Sequence, residues 1–273
     1  MTLNDRINKD LGELYCGLEI SSAKAIEHLF PKSPLSTKGL PNHFSGNRQA
    51  KTVFVMLNPG IEAKKANALC GSLTASYDRS SKTTFVDSYR FDKENVVVKK
   101  PDTFDIKQAA FLKPWQNSGV NLGCFDPKNK NTYLAACTNV LNQKLQLELI
   151  PYCSNSFGNI DSSNVRLILP YLETIIDEIS SVERKYVIFG SGKFEQLFKE
   201  YEKNSSAKIK WGNEQKSATT IFGSKISGKC RMIRLNSIKA IIAHTFPYRY
   251  YLPYSRMENY GSFCYDVFKN SII

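Results

Sequence analysis

The chain has 273 residues, with 37 Lys and Arg against 25 Asp and Glu, a net charge of +12 and a sequence pI near 9.3. Its hydrophobic content of 42% is enough for a packed core, which excludes a disordered or fibrous chain. The excess positive charge favours an anionic partner, most often nucleic acid. No apolar stretch approaches the roughly 20 residues that span a bilayer, and none follows the charged N-terminus. We therefore expect no membrane partner and a cytoplasmic protein, or a nucleoid or nuclear one if it associates with DNA.

The seven cysteines are far apart, and no two of them form a Cys-x-x-Cys pair. Structural zinc and iron–sulfur sites usually show such close pairs. We therefore expect reduced, packed thiols, no metal and no cofactor.

Helical spacing of apolar residues predicts two helices at the start of the chain, over residues 3–14 and 21–30. The second begins with two serines, which are candidates for its cap. Residues 31–48 are rich in Pro, Gly, Ser and Asn and predict a loop. Together these elements form an N-terminal helical segment over residues 1–48.

The apolar run over residues 52–57 predicts a buried parallel strand that stops at Asn58-Pro59-Gly60. Pro59 has no N–H to donate to a ladder, and Gly60 permits a turn or the close approach of a ligand. Ligands bind outside the carboxyl ends of the strands in open α/β sheets. Asn58 is therefore a candidate site residue.

Three more apolar runs predict core strands, over residues 145–150, 185–190 and 238–244. Helices are predicted over residues 104–112, 131–142, 163–181, 194–201 and 255–268, the last starting at a Ser255–Glu258 capping box. The stretches near 61–130 and 203–229 are interpreted as insertions, the second as a hairpin or a long excursion. Alternating strands and helices predict an α/β protein. Its expected fold is a three-layer α/β/α domain over residues 1–273 with a central, mainly parallel four-stranded sheet.

Four strand ends should bring polar residues to one edge of that sheet. Of the three histidines, only His244 directly follows a core strand. An imidazole and the Asn58 carboxamide at one edge would form a site for a polar ligand.

Leu57-Asn58-Pro59-Gly60 resembles the first motif of the uracil-DNA glycosylase superfamily, especially its mismatch-specific and single-strand-selective branches. His244-Thr245-Phe246-Pro247 resembles the late motif of the superfamily, and residues 147–151 and 186–190 are similar to its intervening strands. The resemblance covers residues 50–270 in outline through about two dozen positions. It implies the fold of the superfamily, no cofactor, and hydrolysis of the N-glycosidic bond of a uracil or another deaminated or modified base flipped out of DNA.

The resemblance implies a role for each motif residue. Asn58 would position the attacking water through its amide, which is not basic enough to remove a proton. His244 would donate a hydrogen bond to the leaving base, where negative charge develops in the transition state. Phe246 stands where a small polar residue is usual, which weakens the phosphate contact expected there.

The residues that would bind the base are Gly60, Glu148, Tyr152, Phe157 and Tyr77, the three aromatic rings being candidates to stack on it. Glu148 stands where many members of the superfamily carry an Asn. An ionised carboxylate repels the O4 of uracil and accepts from an amino group. The alternative is that Glu148 faces solvent or pairs with a lysine.

The residues that would contact DNA are Tyr248, Arg249, Tyr250, Arg256 and Ser191. Aromatic rings interleaved with arginines suit base stacking and phosphate contact. The alternative for this aromatic run is a buried cluster that caps the sheet.

We expect a monomer with single- or double-stranded DNA as its partner and no bound metal. Two other functions stay open. One is a non-catalytic nucleic-acid-binding protein of the same fold, which Glu148 and Phe246 motivate. The other is an unrelated α/β enzyme that binds a phosphate ester or nucleotide through Gly190-Ser191-Gly192, although the full phosphate-loop pattern is missing.

Overall fold

The computed structural model describes residues 1–60, 103–123, 126, 128–158, 164–220, 227–244, 246 and 253–273. These residues form an α/β protein with seven α-helices and a mixed seven-stranded sheet. The helices are α1 (Leu3–Tyr15), α2 (Ser21–Ile26), α3 (Thr103–Leu112), α4 (Lys130–Gln143), α5 (Leu169–Ser180), α6 (Lys193–Asn204) and α7 (Tyr254–Asn270). The strands are β1 (Phe44–Gly46), β2 (Thr52–Met56), β3 (Leu145–Glu148), β4 (Tyr186–Phe189), β5 (Ile209–Thr220), β6 (Ser227–Leu235) and β7 (Ile238–Ala243). Within the described ranges, no helix is long and apolar enough to cross a membrane.

The strands follow the order β1-β3-β2-β4-β7-β6-β5. Strand β4 pairs in parallel with β2 on one side and with β7 on the other. Strand β6 is antiparallel to both β7 and β5. The α/β class is therefore confirmed. The sheet has seven strands instead of the four expected, because the second insertion contributes to the hairpin β5–β6 and because a short edge strand, β1, precedes β2. The three-layer arrangement stays a prediction.

The chain divides into two compact units. The first comprises Met1–Ser45, Met56–Val96 and Leu147–Ser181, and the second comprises Gly46–Val55, Val97–Gln146 and Val182–Ile273.

In the first unit, α1 begins at a capping box in which the Thr2 side chain accepts from the Asp5 N–H while the Asp5 carboxylate accepts from the Thr2 N–H. The Arg6 side chain fastens this helix to α5 by donating to Thr174 Oγ1 and to the Pro170 carbonyl, both at 2.7 Å.

The second unit holds the central strands. Every residue of β2 and of β4 is buried, as the apolar runs predict for strands covered on both faces. The polar residue in β2 is satisfied, because Thr52 Oγ1 donates to the Ser118 carbonyl at 2.6 Å. Register places Val55 opposite Phe189, and Phe189 opposite Ile242, so β2, β4 and β7 end at the same edge of this unit.

Phe246 belongs to an aromatic cluster in the second unit. Its ring lies 5.6 Å from Phe54, 5.3 Å from Phe111 and 5.8 Å from Phe104, and only 2% of the residue is exposed. The phenylalanine that replaces a small polar residue in the late motif is therefore a core residue.

Both predicted helix caps are wrong. The N-cap of α2 is Ile20, and the two serines instead bind α1: the Ser21 Oγ donates to Glu13 and the Ser22 Oγ to Asp10. Helix α7 has Pro253 at its N-cap and no side-chain cap. The two serines of α2 therefore have their partners on α1 instead of in the first turn of their own helix.

Helices α3 and α7 approach each other at Gly261. A Cβ atom at this position would collide with the Phe111 carbonyl oxygen, and Trp115 Nε1 donates to the Gly261 carbonyl at 3.0 Å. Only glycine permits this backbone approach.

We expect Gly261→Ala to lower the free energy of unfolding by about 3 kcal/mol or more, because the added methyl group has a backbone atom in its way. Urea denaturation measures this change. The matched control is Ser262→Ala at the exposed neighbouring position, with an expected change within about 0.5 kcal/mol. Equal stability of the two variants would contradict the close approach.

Candidate functional site

The Asn58 carboxamide in the first unit is held by backbone groups. Its Nδ2 donates to the Ser154 carbonyl at 3.1 Å and to the Pro59 carbonyl at 3.3 Å. The Ser154 N–H donates to the same Pro59 carbonyl at 3.1 Å. Because both contacts use the amide nitrogen, the oxygen Oδ1 is the group that can bind a water or a ligand. Asn58 is half-buried, so its carboxamide is held in one direction without being fully enclosed.

The segment that holds Asn58 is itself anchored. The Ser154 Oγ lies 2.6 Å from the Ser33 carbonyl, and the Cys153 carbonyl accepts from the Ser36 N–H at 2.9 Å. The Asn58 amide therefore rests on a loop that two further contacts fix to the first unit, which limits its freedom to rotate.

Glu148 lies at the end of β3 and is 5% exposed, so the alternative in which it faces solvent is wrong. Burial, and secondarily the charge of Glu148, raise the pKa of the Cys153 thiol to about 12. Cys153 is therefore a protonated core residue at neutral pH, without nucleophilic character. A buried carboxylate at a strand end suits the recognition of a base, and this role stays a prediction.

Tyr152 lies in the core of the first unit with 1% exposure. Its hydroxyl donates to Asp10 Oδ2 at 2.9 Å, and His43 Nε2 lies 3.0 Å from the same oxygen. Burial raises the pKa of Tyr152 well above its usual value. Both the ring and the hydroxyl serve the packing of this unit, and a base could stack on Tyr152 only if the ring left the core.

The other predicted contacts are distributed as follows. Phe157 is half-buried and makes an edge-to-face contact with Phe30, with the ring centroids 6.0 Å apart. Gly60 is exposed, and no atom of the described residues lies within 4 Å of the place of a Cβ. Ser191 is 8% exposed, and its Oγ accepts from the Lys193 N–H at the start of α6. Arg256 is half-exposed in the first turn of α7. Tyr77, Tyr248, Arg249 and Tyr250 lie outside the described residues.

His244 in the second unit is the centre of a charged cluster. Its Nε2 lies 2.6 Å from Glu195 Oε1, and its Nδ1 lies 3.6 Å from Glu214 Oε2. Arg231 Nε donates to the same Glu195 oxygen at 2.6 Å. The imidazole nitrogen Nε2 is fully buried beside Glu195 and not aligned for a hydrogen bond with it, so the 2.6 Å contact becomes an ion pair only when His244 is protonated.

Burial lowers the pKa of His244 below its usual value, although Glu195 and then Glu214 act to raise it. The imidazole is therefore neutral at neutral pH. A neutral imidazole donates one hydrogen bond and carries no charge of its own to attract anions.

A cleft of about 470 Å³ runs beside His244 along α6. It is lined by Gly192, Glu195, Gln196, Lys199, Glu200, Glu202 and Lys203. His244 is not one of the lining residues, and it neighbours the cleft through Gly192, where a Cβ would lie 3.5 Å from His244 Cγ. Its volume is in the range of small-ligand sites, about 300–1,000 Å³.

A metal ion is another species that His244, Glu195 and Glu214 could hold, since their ligand atoms lie within 4.8 Å of one another. The same carboxylates already contact cations. Arg231 binds Glu195, and the Nζ atoms of Lys216 and Lys229 each lie 3.9 Å from Glu214 Oε1. A divalent ion would enter against three positive charges, so we assign no metal to this cluster.

Glu195, Glu214 and Arg231 were missed from the sequence because they come from three separate elements, α6, β5 and β6. No local spacing links them to His244. The register of the hairpin is the signal that would have found them, since it pairs Glu214 with Arg231, and Arg231 with Ile242, two residues before His244.

Comparison of the chain with protein-family models, with curated proteins and with solved structures gave no match. No relative therefore supplies a function, and the resemblance to the uracil-DNA glycosylase superfamily depends on the motifs alone. That Asn58 and His244 act on one base stays a prediction.

The lowered pKa of His244 has a consequence for stability. When the pH falls below the ordinary histidine value of about 6.5, the unfolded chain takes up a proton at this position and the folded chain does not, so the free energy of unfolding falls. Between about pH 7.5 and pH 5.5, we expect the free energy of unfolding of His244→Gln to fall less than that of the wild type, because the variant lacks this titrating group. Urea denaturation at each pH measures the difference. The control is His28→Gln at an exposed position. A wild-type pH dependence in His244→Gln would contradict the lowered pKa.

Proposed function

We propose that this chain is a DNA glycosylase-like hydrolase, which releases a uracil or another deaminated or modified base that has been flipped out of DNA. Asn58 positions the attacking water, and His244 stabilises the leaving base. The protein acts without a cofactor, as a monomer, on single- or double-stranded DNA.

One observation carries the proposal. The four stretches that resemble the superfamily, ending or following β3, β2, β4 and β7, belong to four consecutive strands of the sheet. They are dispersed along the chain from residue 57 to residue 247. Random matches to short motifs would not be expected to occur on neighbouring strands. This adjacency supports a three-layer α/β/α arrangement in which the strand ends bind the base.

The Asn58 contacts support its proposed role. Its Nδ2 is committed to two backbone carbonyls, so Oδ1 accepts a hydrogen bond from a water molecule and orients that molecule for attack. An amide does not take the proton. The sugar therefore has to develop most of its positive charge before the water attacks, and catalysis depends chiefly on stabilising the departing base.

The environment of His244 supports the second role. Because Nε2 is buried beside Glu195, the ring would donate to the base through Nδ1, and that hydrogen bond strengthens as the base becomes an anion, which stabilises the transition state more than the ground state. The pair of Glu195 and Arg231 keeps the ring in one position. Glu148 would read the base by accepting from an amino group.

The alternative is a non-catalytic nucleic-acid-binding protein of the same fold. The core positions of Tyr152 and Phe246 favour it. Tyr152 was a candidate to stack on the flipped base, Phe246 replaces the small polar residue expected to contact phosphate, and both side chains serve packing. It requires DNA binding without base release.

The test is an excision assay. Duplex and single-stranded oligonucleotides carrying uracil, hypoxanthine, xanthine or 5-substituted uracils are incubated with the protein, and abasic sites are then cut with alkali. We expect release of at least one base, reduced by about 10²-fold or more in Asn58→Ala and in His244→Ala, because each variant loses one transition-state contact.

Asn155→Ala, an exposed neighbour of the loop that holds Asn58, is the control and should keep full activity. DNA binding without release of any base at high protein concentration would favour the non-catalytic alternative.

A further inference from the structure

The hairpin β5–β6 places two lysines opposite each other. In the register of the hairpin, Lys216 on β5 pairs with Lys229 on β6. Side chains in directly opposed positions lie on the same face of a sheet, with Cβ atoms about 5 Å apart, and like charges there are destabilising. The direct contact between these two lysines is therefore unfavourable for the stability of the hairpin.

The two lysines share one carboxylate. Each Nζ lies 3.9 Å from Glu214 Oε1, at the outer limit of an ion pair, and the side chains of Lys216 and Lys229 are 61% and 39% exposed. The other oxygen of Glu214 lies 3.6 Å from His244 Nδ1. One half-exposed carboxylate therefore faces two lysines and an imidazole.

The neighbouring acid does not relieve this imbalance. Glu195 is held by Arg231 at 2.6 Å, and Arg231 also donates to the Gly212 carbonyl at 3.1 Å. The charges within these contacts are three cations and two carboxylates when His244 is neutral. Of these charged groups, the two lysines have the most exposed side chains.

We propose that Lys216 and Lys229, called here the lysine pair, bind a backbone phosphate of nucleic acid beside His244. Two ammonium groups that already lie 3.9 Å from one carboxylate oxygen can contact one phosphate from two sides, which converts their mutual repulsion into binding. A strand that brings a base to His244 necessarily brings its own phosphates next to that base. The position relative to a flipped base rests on the proposed function, whereas phosphate binding does not.

Glu214 is the competing anion in this site. Its carboxylate forms a long ion pair of 3.9 Å with each lysine, which a phosphate would have to replace. We therefore expect opposite effects from two kinds of variant. Removal of either lysine weakens the binding of nucleic acid, and removal of the Glu214 charge strengthens it.

The experiment measures the affinity for a short fluorescent duplex without modified bases, by anisotropy, over a series of salt concentrations. We expect Lys216→Ala and Lys229→Ala each to weaken binding several-fold and to reduce the slope of log K against log salt by up to about 0.9, as the loss of one phosphate contact requires. We expect Glu214→Gln to tighten binding. Lys210→Ala is the matched control, because it removes the same charge from the same strand opposite Arg234, away from the lysine pair.

The proposal is overturned if Lys216→Ala and Lys229→Ala change affinity and slope no more than Lys210→Ala does, or if Glu214→Gln weakens binding. Circular dichroism and urea denaturation confirm that each variant is folded, and Glu214→Gln tests the proposal through a gain that a damaged fold cannot imitate. Loss of base release with normal salt slopes would count against the proposed hydrolase alone. If the protein releases a base but the lysine variants do not change the slope of log K against log salt, the phosphate site at the lysine pair is rejected and the hydrolase proposal stands.

Discussion

The parallel pairing of β4 with β2 and with β7 is the constraint on which the second unit depends. Parallel strands need both faces covered, so their buried residues are mostly apolar, with Thr52 in β2 satisfied by a backbone carbonyl, and most polar side chains lie where the strands begin or end. The register makes the three strands end together. His244 and Ser191 therefore come to one edge because the strands before them are buried, and not because of any attraction between polar groups.

Elements with strong apolar patterns could be predicted from the sequence. The runs that became β2, β4 and β7 have hardly any polar residues, and α5 presents one apolar face, so hydrophobic burial alone selects these structures. Strand β5 has twelve residues with no such pattern and is specified by pairing with β6. Three-residue β1 is too short to show any period. Both depend on partners distant in sequence, which local spacing does not contain.

The same division applies to the candidate site. Asn58 and His244 were predicted because each follows a core strand, and a strand end has a known position in this class of fold. The groups that set the charge of His244 come from a helix and from both arms of the hairpin, so tertiary structure alone brings them together. Tyr152 shows where the sequence is ambiguous, because an aromatic ring near a strand end is as suitable for the core as for a ligand. Its hydrogen bond to Asp10 holds it in the core, and Asp10 lies far away in sequence, on α1.

Glu214 connects the two proposals energetically. Its carboxylate faces the imidazole on one side and both lysines on the other. A phosphate that attracts the lysines away from Glu214 leaves the full negative charge of that carboxylate beside His244, which raises the pKa of the imidazole. By linkage, protonation of His244 and binding of the phosphate must then favour each other by the same free energy. A nucleic-acid backbone bound at the hairpin would thus increase the fraction of His244 in its cationic form, and the imidazolium is a stronger hydrogen-bond donor to a developing anion than the neutral ring.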